Sequence, residues 1–457
     1  MKKITSCLLL VAGFAALTGC NDFLEIEMPK DQIDHTKVFS DEKLATAALT
    51  HVYTLMRGNG FLSGNTNGSG FLLACYTDEL EITTTQTAYF KNFYDGTVLP
   101  SNSVITEWWN HTYRQIYTVN TVLEGLKEAT GISATVKQQL QGEALAVRGM
   151  LHFYLAQTFG AVPYITTTDY RINQQTGKLP AVEVIQRAEN DLKQAEGLLT
   201  ASYPSAERVR INKAVAQALL ARLYLYTEQW QPAQQYAETV LANAAYKPEP
   251  LNRVFLKDSQ SAVWQFKPET EGRNALEADT YIFEALPAPQ SRLSTAFLNS
   301  MEMNDLRKET WVRYVAGSSE DAHAYKYTQR GGSSSTPSKE YSIIIRIEEL
   351  YLIAAEAAAE QNDWKTCNAM LNTLRSRAGL PDVEVSDSIS ALEAVLKERR
   401  SELFCEFGHR FYDLKRRNRL NHLLQVKPGW QPYFNLLPLP ENELLLNPNL
   451  LPQNAGY

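Results

Sequence analysis

Two stretches of this 457-residue sequence concentrate side chains suited to holding a flat-faced ligand. In the first, Tyr89, Phe93 and Tyr94 stand around Asn92. The second is spread over residues 247–345 and holds Arg273, Asn274, Tyr281, Trp311, Tyr314 and Tyr325. A sugar ring has an apolar face and a rim of hydroxyls. A site for one needs aromatic planes to stack on and a few polar groups to fix orientation. Both stretches offer that combination on segments rich in loop residues. The alternative is that these rings pack beneath their own loops.

No set of residues for covalent chemistry competes with this reading. The chain has no HExxH, no GxSxG and no cysteine with a plausible histidine partner. Asp78, Glu79 and Glu81 are the nearest to a pair of glycosidase carboxylates. On a surface loop such acids are expected to be simply solvated. Glu398, Arg399, Arg400, Glu402, Glu406, Arg410 and Asp413 recur at helical spacings that permit i, i+3 and i, i+4 ion pairs, which points to structure. His409 has no second ligand at helical spacing, so no metal is expected. The glycines of 58–70 lack GxxxxGK[ST] and follow no strand, so they form a loop and not a phosphate cradle. No cofactor is implied, and an enzyme is not expected.

Composition narrows the class. The formal charge is -7, with no basic cluster, which argues against nucleic acid as a partner. The first twenty residues place Lys2 and Lys3 before an apolar run from Leu8 to Leu17, then Leu17-Thr18-Gly19-Cys20. That run is too short to span a bilayer. It reads as a signal peptide over 1–19 ending in a lipobox, with Cys20 lipidated and the chain tethered to a membrane through 20–39. Cys75, Cys367 and Cys405 remain, an odd set with no CxxC pair, so neither a disulfide framework nor a zinc site is expected. The 23 Tyr, 17 Phe and 7 Trp exceed what a helical core needs.

The elements that must position these residues are mostly helical. Over 346–380, Leu350, Ala354, Ala357 and Ala358 share one helical face. Asn362-Asp363 then breaks the run, and Trp364, Cys367, Leu371 and Leu374 form the next stripe before Gly379-Leu380-Pro381 ends it. Residues 212–245 repeat the plan, with Ala221 nine residues before Trp230 as Ala355 is before Trp364. Such helix–turn–helix units have the tetratricopeptide period. Further helices are expected over 40–56, with Leu44, Ala48 and Leu55 on one face, and over 107–127, 136–159 and 182–199. One or two more fall in 390–419. The N-terminal helical region spans 40–246, with an irregular aromatic loop at 58–105. An irregular insert of loops and short strands occupies 247–345. The C-terminal part, 346–457, ends in an extended tail. Trp109, Tyr113, Trp230, Trp264 and Trp364 are expected in the core. The fold class is mainly α: a tetratricopeptide-like scaffold whose insert forms the ligand face.

In order along the chain, these motifs resemble the SusD/RagB family of surface lipoproteins. The likeness rests on Leu17-Thr18-Gly19-Cys20 followed by Asp22-Phe23-Leu24-Glu25, then Trp109, Tyr113, Ile116 and Asn120. It continues in Gly160-Ala161-Val162-Pro163, Asn304-Asp305-Leu306-Arg307, Leu374-Arg375-Ser376-Arg377-Ala378-Gly379-Leu380 and Glu398-Arg399-Arg400-Ser401-Glu402-Leu403. It closes with Gln453-Asn454-Ala455-Gly456-Tyr457. Two departures, Cys405 to Arg410 and Arg148-Gly149, fall in scaffold helices. The resemblance implies an outer-membrane, surface-facing lipoprotein that binds an oligo- or polysaccharide and hands it to a SusC-like TonB-dependent transporter. Ligand contact is expected from Tyr89, Asn92, Phe93, Tyr94, Arg273, Tyr281, Trp311, Tyr314 and Tyr325. A peptide-binding member of the family, or a scaffold binding proteins on its repeat face, would be the other readings.

Overall fold

A computed structural model of the chain describes residues 38–83 and 89–457, so the lipobox and Cys20 lie outside the described residues. Helix α1 (Glu42–Gly58) starts at Asp41, whose carboxylate accepts the N–H groups of Lys43 and Leu44 at 2.9 and 3.0 Å. Its inward stripe is Ala45, Leu49, Val52 and Met56, not Leu44, Ala48 and Leu55. The two stripes lie side by side, and the one carrying Val52, Tyr53 and Met56 brings more apolar bulk to the core. The 58–105 region is more ordered than expected. It contains α2 (Ser69–Tyr76), β1 (Leu80–Ile82) and α3 (Tyr89–Asp95), and α4 (Ser103–Glu128) begins inside it. Nearly every residue of α2 is buried, so no polar face exists to give the stretch a readable period.

Beyond α4 come α5 (Ala134–Phe159), α6 (Tyr170–Asn173), α7 (Ala181–Leu198), α8 (Lys213–Tyr226) and α9 (Trp230–Leu241). The insert follows, with β2 (Ala262–Phe266), α10 (Leu276–Tyr281), β3 (Ser291–Leu293), α11 (Thr295–Ser300), α12 (Leu306–Trp311), β4 (Val312–Tyr314), β5 (Ala322–Ala324) and β6 (Ser342–Arg346). Then α13 (Ile347–Glu360), α14 (Trp364–Arg377), α15 (Ser388–Leu403), α16 (His409–Arg416) and α17 (Glu441–Leu446) complete the chain. The tail therefore holds a short helix where an extended run was expected.

The helices stack in pairs. α4 packs on α5, α5 on α7, α7 on α8, α8 on α9 and α13 on α14. The two hairpins of like sequence are neighbours in space, because α9 packs directly on α13. Their caps match. Asn212 accepts from the Val215 N–H at 3.1 Å and Asp363 from the Thr366 N–H at 3.1 Å. Trp230 and Trp364 each open the second helix of their pair. Ala354, Ala355, Ala357 and Ala358 are fully buried, which lets the partner helices approach closely. The insert thus leaves and rejoins the stack between touching hairpins. Its ends are joined by β2 and β6, antiparallel, with Ala262 opposite Arg346 and Phe266 opposite Ser342.

Charge fixes the insert to the stack. Glu402 on α15 takes Arg346 at 2.5 Å, Arg377 at 2.5 Å and Arg307 at 3.0 Å. Arg307 also meets Glu398 at 2.6 Å and Asp305 at 2.8 Å. Lys326 donates to the carbonyls of Glu402 and Phe404 at 2.8 and 2.9 Å. The expected network exists, but its bonds run mostly between elements. Among the described residues only Arg416–Asp413, at 2.9 Å, is an i, i+3 pair within it. The last turns of α15 are buried, so their carboxylates meet arginines from neighbouring elements instead of their own helix.

Candidate ligand-binding face

The two aromatic stretches meet. The strand after α2, β1, pairs antiparallel with β3 of the insert, Leu80 opposite Leu293 and Ile82 opposite Ser291. The loop before α2 bridges further: Thr280 Oγ1 donates to the Gly64 carbonyl at 2.8 Å, and the Thr66 and Tyr89 hydroxyls lie 2.8 Å apart. A chain of rings runs beneath, Tyr89 to Phe90 at 5.3 Å, Phe90 to Phe71 at 5.8 Å and Phe71 to Tyr281 at 6.1 Å. Those contacts anchor the face while leaving Tyr89 half-buried.

Burial separates the expected ligand residues. Trp311 is 1% exposed, and its Nε1 donates to the Leu251 carbonyl at 2.9 Å. Phe93 is 0% exposed. Tyr281 is buried, with its hydroxyl donating to the Cys405 carbonyl at 3.1 Å. These three are core residues and leave the list of ligand contacts, since each ring faces packed protein. Tyr94 is half-buried under the Lys427 ammonium, 3.8 Å from its ring centre, in a cleft with Trp430 and Phe434 and away from the insert. Asn92 is partly exposed, and its carbonyl caps a turn by accepting the Thr97 N–H at 2.8 Å. Arg273 is exposed beside Gly332, where a single bridge joins the two backbones.

The β4–β5 hairpin sorts the rest. Arg313 stands opposite His323 and Tyr314 opposite Ala322. Side chains alternate along a strand, so Arg313, His323 and Tyr325 share one face and Tyr314 belongs to the other. On the first face the Arg313 guanidinium lies 4.1 Å from the Tyr325 ring centre. The His323 ring sits 6.0 Å from Tyr325 and 5.0 Å from Phe283. Among the described residues neither ring nitrogen of His323 has a hydrogen-bond partner, although the residue is buried. Burial, with Arg313 and Arg330 nearby, pushes its pKa down to about 4, so the imidazole is neutral at pH 7. It therefore keeps one donor and one acceptor unmatched beside a half-open ring. Arg313 and His323 were missed in the sequence. Their signal was the alternation of Val312-Arg313-Tyr314 and Ala322-His323-Ala324-Tyr325, three or four residues long.

The acids are not a catalytic pair. Asp78 is held by Arg400 at 2.8 Å and Arg410 at 2.8 Å, and Glu79 is buried, so neither is solvated as expected. Desolvation, and then Asp78, raise the pKa of Glu79 to about 7. The thiols of Cys75, Cys367 and Cys405 are free and buried, and burial pushes Cys75 up to about 12.

Comparison with known proteins settles the family. A SusD-like family model described as starch-binding, associating with outer membrane, matches residues 22–225, and a SusD family model matches 299–457. The chain belongs to the SusD/RagB family. SusD-like protein P25 of Formosa agariphila is 23% identical over the full length of both chains. A laminarin binding SusD-like protein of known structure is 22% identical, with a TM-score of 0.74 over 91% of this chain and 100% of its own. Surface glycan-binding protein A from Bacteroides thetaiotaomicron is 17% identical, with a TM-score of 0.77 over 92% and 100%. The mainly helical architecture is thus the SusD fold. SusD-like proteins are carbohydrate-binding and non-catalytic, and the family associates with the outer membrane. Among the described residues no helix is long and apolar enough to cross a membrane.

Proposed function

We propose that this SusD-family chain binds a glycan on the face formed by α3, the 63–67 loop and the insert. It is held at the cell surface by lipid on Cys20 and passes the glycan to a SusC-like TonB-dependent transporter. The observation that carries the reading is the Tyr325 and Arg313 pair, a half-open ring with an exposed guanidinium 4.1 Å from its centre. Tyr89 and Arg273 supply a second plane and a second cation. Sugar faces stack on such rings, and the guanidinium groups donate to hydroxyls. The laminarin-binding and glycan-binding neighbours support a carbohydrate ligand. The Cys20 lipid, the surface orientation and the transporter rest on the sequence motifs and family resemblance.

Affinity electrophoresis of the chain against laminarin, starch and xylan tests the ligand class. Retardation by at least one polysaccharide, reduced in Tyr325→Ala, is expected. Retardation by none of them, with calorimetric binding of peptides instead, would overturn it. The anchor has its own test: Cys20→Ala releases the protein from the membrane fraction, and a variant that stayed there would refute lipidation.

A further inference from the structure

A second groove lies on the scaffold, outside the insert face. It is walled by α4, α6 and the tail around α17, with a volume of about 430 Å³. Trp109, Tyr113 and Tyr117 recur every four residues along α4 and all line it. One such step advances about 6 Å along a helix, close to the length of one sugar ring with its linkage. The rings open progressively: Trp109 is 4% exposed, Tyr113 half-buried and Tyr117 50% exposed. Tyr170 on α6 faces the same groove and is 71% exposed. The neighbouring Trp108 turns the other way and donates to the Asn67 carbonyl at 2.5 Å. Successive residues differ by about 100° around a helix, so α4 separates this groove from the insert face.

The walls are already built. Tyr113 donates to the Pro163 carbonyl at 2.8 Å, Asn120 to the Ile165 carbonyl at 3.1 Å, and Glu124 accepts the Thr168 N–H at 3.0 Å. These three bonds lock the 163–168 segment along α4. On the other side Asn447 and Asn449 donate to the carbonyls of Thr176 and Gln175, each at 2.9 Å. A groove fixed in this way costs little further ordering when filled. Its polar lining is made of amides, Asn110, Asn173, Gln174 and Asn447, with one carboxylate, Glu443, and no lysine or arginine. Glu443 accepts a hydrogen bond from the Trp109 side chain. Among the described residues the buried Asn173 Oδ1 atom has no hydrogen-bond partner. Amides beside aromatic planes suit hydroxyl-bearing, uncharged ligands, whereas an acidic ligand would meet no cation here.

We propose that this groove is a second carbohydrate subsite, which takes a neutral oligosaccharide stretch along Tyr113 and Tyr117, over the buried floor of Trp109, with Tyr170 as the facing plane. The inference rests on the glycan-binding reading above and adds a contact on the opposite side of α4. Its test uses the full chain in detergent with laminarin, starch and xylan in affinity gels. The substitutions are Tyr117→Ala with Tyr170→Ala, both exposed, and melting temperature is the folding control. Loss of two stacking planes is expected to weaken retention by about tenfold with melting unchanged. Unchanged retention of the double variant, on a gel where Tyr325→Ala is weakened, overturns the groove and leaves the insert face standing. Wild type retained by none of the three polysaccharides removes the glycan reading and the groove with it. A dimer in sedimentation that the double variant dissolves, with retention unaltered, would assign the groove to a second copy and likewise overturn the proposal.

Discussion

The insert has two sides, and they treat polar groups in opposite ways. Toward the scaffold, Arg307, Arg346 and Lys326 are sunk among Glu398, Glu402, Glu406 and Asp305, with multiple charge-assisted bonds each. Toward the loops, Tyr325 stays half-open, and Arg313 and Arg273 reach solvent. Buried ions tolerate no loss of a partner, whereas a half-open ring beside exposed guanidinium groups is available to a ligand. Buried, ion-paired groups therefore mark what holds the insert, and exposed rings and cations mark what it presents.

The largest effect should come from breaking the paired side. Glu402→Ala leaves three guanidinium groups short of their acceptor, and loss of one partner in a buried pair costs about 3–5 kcal/mol. Denaturant unfolding should show a large fall in midpoint, or the chain should fail to accumulate. An unchanged midpoint would make the network ornamental. Trp311→Ala is expected to cost a similar 3–5 kcal/mol, because a large buried ring leaves a cavity. Loss of ligand binding without loss of stability would return Trp311 to the ligand face.

Acid should dissolve the paired side next. Asp413 is held down at about 2 by Arg399 and Arg416, and Glu349 at about 2 by Arg222, both against the cost of burial. Their contribution is present above the usual carboxylate range and is lost as pH falls toward 2. Buried His152 is pushed down to about 3, with its Nε2 accepting the Ile165 N–H at 3.0 Å. An unfolded histidine protonates near about 6.5, so between that value and 3 the unfolded chain binds more protons and stability falls with pH. Melting temperature should decline steadily below pH 6. Glu79 runs the other way. Its folded pKa is raised to about 7, so its cost appears as pH rises from the usual carboxylate value through 7. Glu79→Gln should therefore raise melting temperature at pH 8 and leave it unchanged at pH 4. A gain of equal size at both would locate the effect elsewhere.

The two hairpins were readable because their stripes, breaks and caps all agreed. Asn362-Asp363 and Trp364 alone place a turn and a helix start, and the structure puts both there. Spacing also marked 212–245 as their twin, though not that α9 and α13 touch across the insert. The α1 stripe was misjudged by one residue, because two apolar stripes compete and only packing chooses between them. On the insert, ring type was legible but ring direction was not. Trp311 ends a six-residue helix and Tyr325 follows a three-residue strand, and in such short elements the partner strand decides which side faces in. The acids of 77–81 read as solvated because the arginines that clamp Asp78 lie more than three hundred positions away.

The presenting side is tested most directly by calorimetry of the polysaccharide retained in the gel screen, with wild type, Tyr325→Ala and Tyr89→Ala compared at matched melting temperature. Each substitution should weaken binding by about three- to tenfold, the worth of one lost stacking plane, and leave melting unchanged. Equal affinity in all three proteins would contradict a glycan face on the insert.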